Sequence, residues 1–549
     1  MTTTDDLSSY LADRLEGTYD CTDRITVRGY HPLGQTSGGL LTWWNQLFPN
    51  TALTEERLRK LAGDFGRRVN AYARKHKITL RYCATGEKDK HVQAVKLRPV
   101  DPQYRGVFAI FVAKAPGLVW QAKNNREGKV VVRRPKSWPL VYHYHFHIVD
   151  PEWGHVTIRM SGHPPFGLQI SLNGHEWIER QARKQAICWV KQDNCFVGGS
   201  DLGGINRLAQ QLDGAQGLAL LGQVVDRWVY SACLCFALDF EQQKRSGFRY
   251  AYSCYQLEYS RNLLFKSGRQ MDEVYQGLID RTRRMLDVAR LKTIFGRKQR
   301  PSKTKAREGR LEKIIERLEY DLTVFKVHFG KLTLKMYDKG NRVLRVEVIV
   351  NNIEELRCGK RLEKLPGMLA RLEAMVVAFL EVVQAAHLSF IDGQQLDALA
   401  VPSVRGAKRT AGVDLQKTRM RAVAQAVIAL AAQPGGFSAA HLADRVRGHK
   451  GPAMASYVPR QAAYDLNKLR GKSLVERIGK TRRYRVRRPG IRALAAALIL
   501  REQVIKPVLA GVCRPNRGRS PKNLHPLDDH YQKLQREMLA TFRTLKIAA

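Results

Sequence analysis

The sequence predicts an α+β multidomain protein, a central mixed sheet-and-helix domain followed by a C-terminal winged helix-turn-helix. Three observations lead there. The 549 residues exceed the roughly 250–300 at which a single hydrophobic core stops growing, so several domains are expected. Alternating stretches, which read as strands, interleave with stretches of helical period along the first roughly 400 residues. Residues 418–512 then run helix, helix, helix, hairpin.

Residues 1–100 read as an N-terminal α/β region. Within Glu55–Lys75, Leu58, Leu61, Phe65, Val69 and Tyr72 recur at spacings of three and four with Arg and Lys between them, one apolar helix stripe. Strands are expected at 79–83 and 107–112, and a basic loop at 122–136. The central domain, 101–400, opens with three alternating stretches (141–149, 155–160, 168–172) split by Asp150-Pro-Glu-Trp-Gly and Gly162-His-Pro-Pro. A helix at 177–185 completes a β-β-β-α order. Residues 205–290 read as mostly helical, which would put Tyr252, Tyr255 and Tyr259 on one helical face and pair Glu258 with Arg261 across one turn. Residues 292–311 carry eight Lys or Arg without apolar period, a basic linker or phosphate-tracking arm. A hairpin at 331–350, a helix at 364–388 and a polar linker at 401–417 follow. Residues 513–549 read as a basic tail with a terminal helix.

The C-terminal unit is the most sharply marked. A first helix at 420–432 stops at Pro434-Gly435-Gly436, and Ser438 is placed to cap the next, at 439–446. A third, at 459–470, starts with Pro459 at its first position and stops at Gly471. Its buried stripe is Ala462, Leu466 and Leu469, which leaves Arg460, Gln461, Tyr464, Asn467 and Lys468 outward. Strands at 474–478 and 483–486 make the wing. From Lys468 to Arg488 ten residues are basic and one, Glu476, is acidic. In this unit the third helix is suited to a major groove, where Arg460, Gln461 and Asn467 can bond base edges. Lys480, Arg482, Arg483 and Arg485 are suited to phosphates.

Charge says which partner. Lys and Arg number 93 against 50 Asp and Glu, a formal +43, and a surplus of that size attracts polyanions. DNA is favoured and structured RNA is the alternative. A membrane partner is excluded at this level because no apolar run approaches the ~18–20 residues of a span. The N-terminus lacks the basic and apolar regions of a secretion signal, and the nine scattered cysteines form no C-x-x-C pair, so a reduced, cytoplasmic protein is expected. No small-molecule cofactor motif is evident; the glycines at 198–204 lack the strand and Lys-Ser/Thr of a phosphate loop.

Two stretches carry possible chemistry. His143-Tyr-His145-Phe-His147 puts three imidazoles on one face of a strand. Such a His-x-His strand is similar to the metal-binding strand of single-strand endonucleases that cut through a tyrosine. Here His145 and His147 would hold Mg²⁺ or Mn²⁺, with Asp150, His175 and Glu176 nearby in sequence as further catalytic candidates. The same row also suits a solvated sheet face. In the hairpin, Lys331, Thr333, Lys335 and Tyr337 alternate with Leu332, Leu334 and Met336, and Arg345 and Glu347 alternate with Leu344, Val346 and Val348. Lys335, Lys339 and Arg345 are then candidates for nucleic acid, and Tyr337 and Glu347 for catalysis or metal.

Asp23-Arg-Ile-Thr-Val-Arg-Gly-Tyr, Asp150-Pro-Glu-Trp-Gly-His, Asn173-Gly-His-Glu-Trp, Tyr255-Gln-Leu-Glu-Tyr-Ser-Arg and Tyr464-Asp-Leu-Asn-Lys-Leu-Arg resemble an uncharacterised family of bacterial proteins. The resemblance runs over nearly the whole chain and implies a C-terminal winged helix. Separately, Lys335-Met-Tyr337-Asp-Lys339 with Leu344-Arg345-Val-Glu347 is similar, over about 20 residues, to a hairpin of rolling-circle replication initiator proteins. It implies a nicking or strand-transfer enzyme of a mobile genetic element. Two function classes therefore stay open: a metal-dependent DNA endonuclease, or a non-catalytic DNA- or RNA-binding protein such as a regulator or ribonucleoprotein partner.

Overall fold

The computed structural model describes residues 5–285, 311–501 and part of 529–540, apart from positions 88, 125–129, 200, 319, 330, 341, 389–392, 406–407 and 450–451. The expected basic arm at 292–311 and most of the tail at 513–549 lie outside the described residues.

One sheet of eleven strands organises the chain. In chain order these are β1 (Leu15–Tyr30), β2 (Thr79–Tyr82), β3 (Gly106–Pro116), β4 (Leu140–Asp150), β5 (Gly154–Ser161) and β6 (Leu168–Asn173). They continue with β7 (Ala251–Phe265), β8 (Leu311–Leu318), β9 (Tyr320–Phe329), β10 (Leu332–Gly340) and β11 (Val343–Val350). Across the sheet the order is β8-β9-β10-β11-β7-β1-β6-β5-β4-β3-β2. Neighbours are antiparallel except β2 and β3.

Alternation gives the sheet two unlike faces. Ile25, Val27, Phe146, Ile148, Ile158, Ile170, Leu257, Leu334, Val346 and Val348 are all buried on one. They share one core with the helices Ser37–Leu47, Glu55–Lys75, Leu202–Asp213, Ala215–Ala232 and Leu365–Leu388. The helix Glu55–Lys75 has the expected bounds, capped by Thr54, with Leu58, Leu61, Phe65 and Val69 inward. The β-β-β-α order is present as β4, β5, β6 and the helix Gly174–Lys184.

The expectation of helix through 205–290 fails over its middle: residues 251–265 are the strand β7, paired with β1 and β11. Tyr255 and Tyr259 therefore share no helical face, and Glu258 and Arg261 do not pair. Glu258 approaches Arg24 at 3.8 Å. Arg261 is buried and bonds Asp20 through Nε and Nη2 at 2.7 and 2.6 Å and Asp5 at 2.9 Å. A buried arginine on the apolar face interrupts the alternation of Leu257, Tyr259 and Leu263, which hid the strand.

A second core lies toward the C-terminus. It is built from the helices Thr418–Ala429, Ala439–Arg447, Pro459–Gly471 and Arg488–Ile499, with a two-stranded hairpin of Val475–Arg477 and Tyr484–Val486. Ser438 caps the second helix through His441 N–H, and Pro459 opens the third, as the sequence indicates. The supposed linker contains a further small hairpin, Ser403–Arg405 with Lys408–Thr410.

Candidate functional site

The second face of the sheet is polar over seven strands, and the cross-strand register explains how. On β1 the side chains of Arg24, Thr26 and Arg28 lie on this face. Arg28 is paired with Gln169, Gln169 with Arg159 and Arg159 with His145. Thr26 leads likewise through Ser171 and Thr157 to His147. On the other side of β1, Tyr19 is paired with Asn262, Asn262 with Arg345 and Arg345 with Tyr337; Cys21 leads through Ser260 and Glu347 to Lys335. The two polar rows of the 331–350 hairpin thus share one face.

This layout splits the candidate catalytic residues. β4 and β10 are six places apart in the sheet. At about 4.8 Å per strand, His145 and His147 stand about 29 Å from Tyr337 and about 24 Å from Glu347. One scissile phosphate cannot be served by both sets. Asp150 belongs to neither: it faces the helical layer and accepts from the backbone N–H of Glu152 and Trp153, Arg227 and Trp228 Nε1, at 2.6–2.8 Å. Its acceptor capacity is used structurally. Glu176 is held by Arg98 in a bidentate pair, both contacts 3.0 Å, beside a cavity of about 200 Å³ also lined by Glu179, Arg180 and Arg183.

The histidine row is a half-closed group. His147 Nδ1 lies 3.1 Å from His155 Nε2, His155 stacks on His91 at 4.9 Å, and Phe108 and Phe111 flank His147. His143 Nε2, His147 Nε2 and Arg159 Nε are buried without a hydrogen-bond partner. Burial, with Arg159 beside them, lowers His143 to about 4 and His145 to about 3; burial and His155 lower His147 to about 2. The imidazoles therefore stay neutral far below their ordinary pKa of about 6.5. Alongside, Arg28 lies 3.3 Å over the Tyr255 ring.

The second group is centred on β1, β7 and β11. His175, fully buried, has Nδ1 3.0 Å from Asp23 Oδ1 and 3.3 Å from Cys21 Sγ. Its Nε2 lies 3.4 Å from the Tyr19 hydroxyl. Ser260 donates to Asp23 at 2.9 Å, and Arg345 Nη1 lies 3.7 Å from Asp23 Oδ2. Arg345 is buried and also donates to Asn262 Oδ1 and the Asn194 carbonyl, each at 2.7 Å, so it is not placed to meet a phosphate from outside. Burial would raise Asp23, but Arg345, His175 and Ser260 hold it below the usual range. Glu347 is pushed up by burial, against Lys335 at 3.6 Å. Tyr337 donates to Glu347 at 3.4 Å. Burial raises Glu258 to about 7, with Arg24 opposing and Glu347 and Asp23 adding to the rise. Lys339 is half-buried at the hairpin turn. No sequence signal joins Cys21 and Asp23 to His175, which is remote in the chain.

In the C-terminal unit Arg460, Gln461, Tyr464 and Asn467 are exposed along the helix Pro459–Gly471. Gln461 also accepts the Val458 N–H at 3.0 Å, and Asn467 accepts from Arg470 at 3.2 Å. Lys468 is not outward: it is 9% exposed, 3.2 Å from the buried Asp465 and 4.7 Å over the Tyr464 ring. On the hairpin, Lys480 and Arg482 are exposed, whereas Arg483 donates to the carbonyls of Gly435 at 2.6 Å and of Pro434 and Gly436. Arg485 is exposed and pairs with Glu476. Between hairpin and helix lies a cleft of about 580 Å³ lined by Arg470, Arg477, Arg487, Glu476 and Ser473.

Among the described residues no helix is long and apolar enough to cross a membrane. Comparison with family models, curated proteins and solved structures finds no match to this chain.

Proposed function

We propose that the chain is a cytoplasmic nucleic-acid-binding protein whose C-terminal unit is a winged helix that docks on duplex. The carrying observation is the row of Arg460, Gln461, Tyr464 and Asn467, exposed on one helix beside a hairpin turn whose Lys480 and Arg482 are exposed. The row offers groups that bond base edges, and the turn offers cations suited to phosphates. The similarity of the 335–347 hairpin to replication initiators extends this reading to a protein of a mobile element. In a binding assay on duplex DNA, single-stranded DNA and structured RNA, duplex DNA is expected to bind tightest. Losing Lys480 and Arg482 to Ala should reduce the log–log salt slope by about 0.9 each. Equal binding by the double variant at all salt concentrations would remove the hairpin from the interface.

A second reading, a divalent-ion endonuclease, is favoured by one observation: the imidazoles of His145 and His147 are held neutral on one strand, and His147 Nε2 has no hydrogen-bond partner. Mg²⁺ or Mn²⁺ would be held by His145 and His147 and would polarise the phosphate. Glu347 and Tyr337 take no part. With either ion, single-stranded or supercoiled DNA should be cut by the wild type and spared by a His145→Ala, His147→Ala variant. Wild-type protein that cuts neither substrate leaves the binding reading alone.

A further inference from the structure

Cys21, Asp23 and His175 are the one group of His, Cys, Asp or Glu among the described residues whose three ligand atoms all lie within 4.8 Å of one another. Two backbone features bring them together. A β-bulge between Thr22 and Arg24 leaves Asp23 as the extra residue, and bulges re-aim side chains in this way. Gly174, just before His175, lies so close to β1 that a Cβ would sit 2.0 Å from the Thr22 carbonyl oxygen. Only glycine lets the helix start there.

The three groups could form a cysteine–histidine–carboxylate nucleophile, but the geometry opposes it. Such a relay needs the thiol on one ring nitrogen and the carboxylate on the other. Here Cys21 Sγ and Asp23 Oδ1 both approach Nδ1, at 3.3 and 3.0 Å, and Tyr19 occupies the Nε2 side. Cys21 is also fully buried, out of reach of a substrate.

Convergence of sulfur, nitrogen and oxygen on one point is instead the arrangement of a metal's ligands. With Zn–S about 2.3 Å and Zn–N and Zn–O about 2.0–2.2 Å, a tetrahedral ion sets N···S near 3.6 Å and N···O near 3.4 Å. The observed separations are within about 0.4 Å of these values. Asp23 Oδ2, buried without a hydrogen-bond partner, faces Arg345 Nη1 at 3.7 Å, so the carboxylate presents Oδ1 to the ion. A thiolate and a carboxylate together neutralise a divalent ion.

We infer that Cys21, Asp23 and His175 bind one buried divalent transition-metal ion of the zinc class through three protein ligands, separate from the histidine row. A thiolate in the set disfavours Mg²⁺ and Mn²⁺. The ion replaces the thiol proton, so binding releases one proton to solvent.

Co²⁺ is the probe, added to full-length, untagged protein stripped of metal. A near-ultraviolet thiolate-to-cobalt charge-transfer band should appear and saturate at one equivalent, and Zn²⁺ should abolish it. Cys21→Ser should lose the band, and His145→Ala, His147→Ala should keep it. Because Cys21→Ser could unfold the strand, its circular dichroism is compared with the wild type, and Asp23→Asn serves as the second variant. For the wild type, the thermal midpoint should rise on adding Zn²⁺. A saturating band that survives Cys21→Ser, or wild-type protein that shows neither band nor midpoint shift, overturns the assignment and leaves the group a metal-free hydrogen-bonded core.

Discussion

Arg483 and Arg482 are adjacent arginines on the same hairpin, yet the structure gives them opposite work. The Arg483 guanidinium reaches back to three carbonyls of 434–436. Next to it the backbone of Tyr484 exchanges two hydrogen bonds with Phe437, at 2.8 and 2.9 Å. Together they seam the returning strand to the turn after the first helix of the unit. A hydrogen bond to a charged group contributes about 1.5–3 kcal/mol when shielded. Arg483 is half-exposed and water can reoccupy part of the site, so Arg483→Ala should cost about 2–3 kcal/mol for all three bonds. That is roughly a 30- to 150-fold loss of protection if the seam opens as one local unit. Hydrogen exchange read at 435–437 and 484–486 measures it. Arg482→Ala should leave protection unchanged and flatten the salt dependence of duplex binding by about 0.9. If Arg483→Ala kept wild-type protection and flattened the salt slope instead, the carbonyl contacts would not be what holds that side chain, and it would count as a phosphate contact.

Two further outcomes follow from buried polar groups. His143, His145, His147 and His155 titrate near 4, 3, 2 and 4 in the folded chain, burial being the largest cause, with Arg159, Arg98, His91 and Lys90 adding to it and Glu176 opposing at His155. The unfolded chain takes up their protons first, so stability is full above about 6.5 and falls as pH drops toward 4. At pH 5.5 the loss is up to about 1.4 kcal/mol per histidine, and urea melts of wild type against His143→Gln and His155→Gln should show a shallower fall in each variant. Divalent-ion activity, if present, should not fade at pH 6, because the imidazoles are still neutral there. In the C-terminal unit, fully buried Asp465 accepts from Tyr457 at 2.9 Å and lies 3.2 and 3.3 Å from Lys468 and Arg419. Asp465→Ala strands these partners and should cost about 3–5 kcal/mol, whereas Tyr464→Ala, which removes only the ring beneath Lys468, should cost no more than about 1 kcal/mol.

Local periodicity made much of the fold legible. The stripe of Glu55–Lys75, the alternation of β4 to β6 and the two faces of the 331–350 hairpin each follow from spacing alone. Where a local rule is broken for a long-range reason, the reading fails. Arg261 sits at an inward strand position because Asp20 and Asp5, more than 240 residues earlier, neutralise it. Lys468 has the spacing of an outward helical residue but folds down to Asp465. The row of three histidines was visible as a row; that Tyr337 and Glu347 lie across the sheet from it is a matter of strand order, which spacing does not encode. Cys21 and Asp23 meet His175 only through the pairing of β1 with β6, so no pattern in the sequence joins them.

Of the eleven strands β1 comes earliest in the chain, yet it lies near the middle of the finished sheet, between β6 and β7. Its 16 residues cannot acquire both neighbours until residue 265 has left the ribosome. Through that interval two unpaired backbone edges are open to any other extended chain. The same placement makes the first 30 residues indispensable in a way that an edge strand would not be. Deleting them would cut the sheet into two halves, one with the histidine row and one with the 331–350 hairpin, and would expose the backbone edges of β6 and β7 that pair with β1. Aggregation during synthesis, rather than a modest loss of stability, is the failure to look for when this segment is altered.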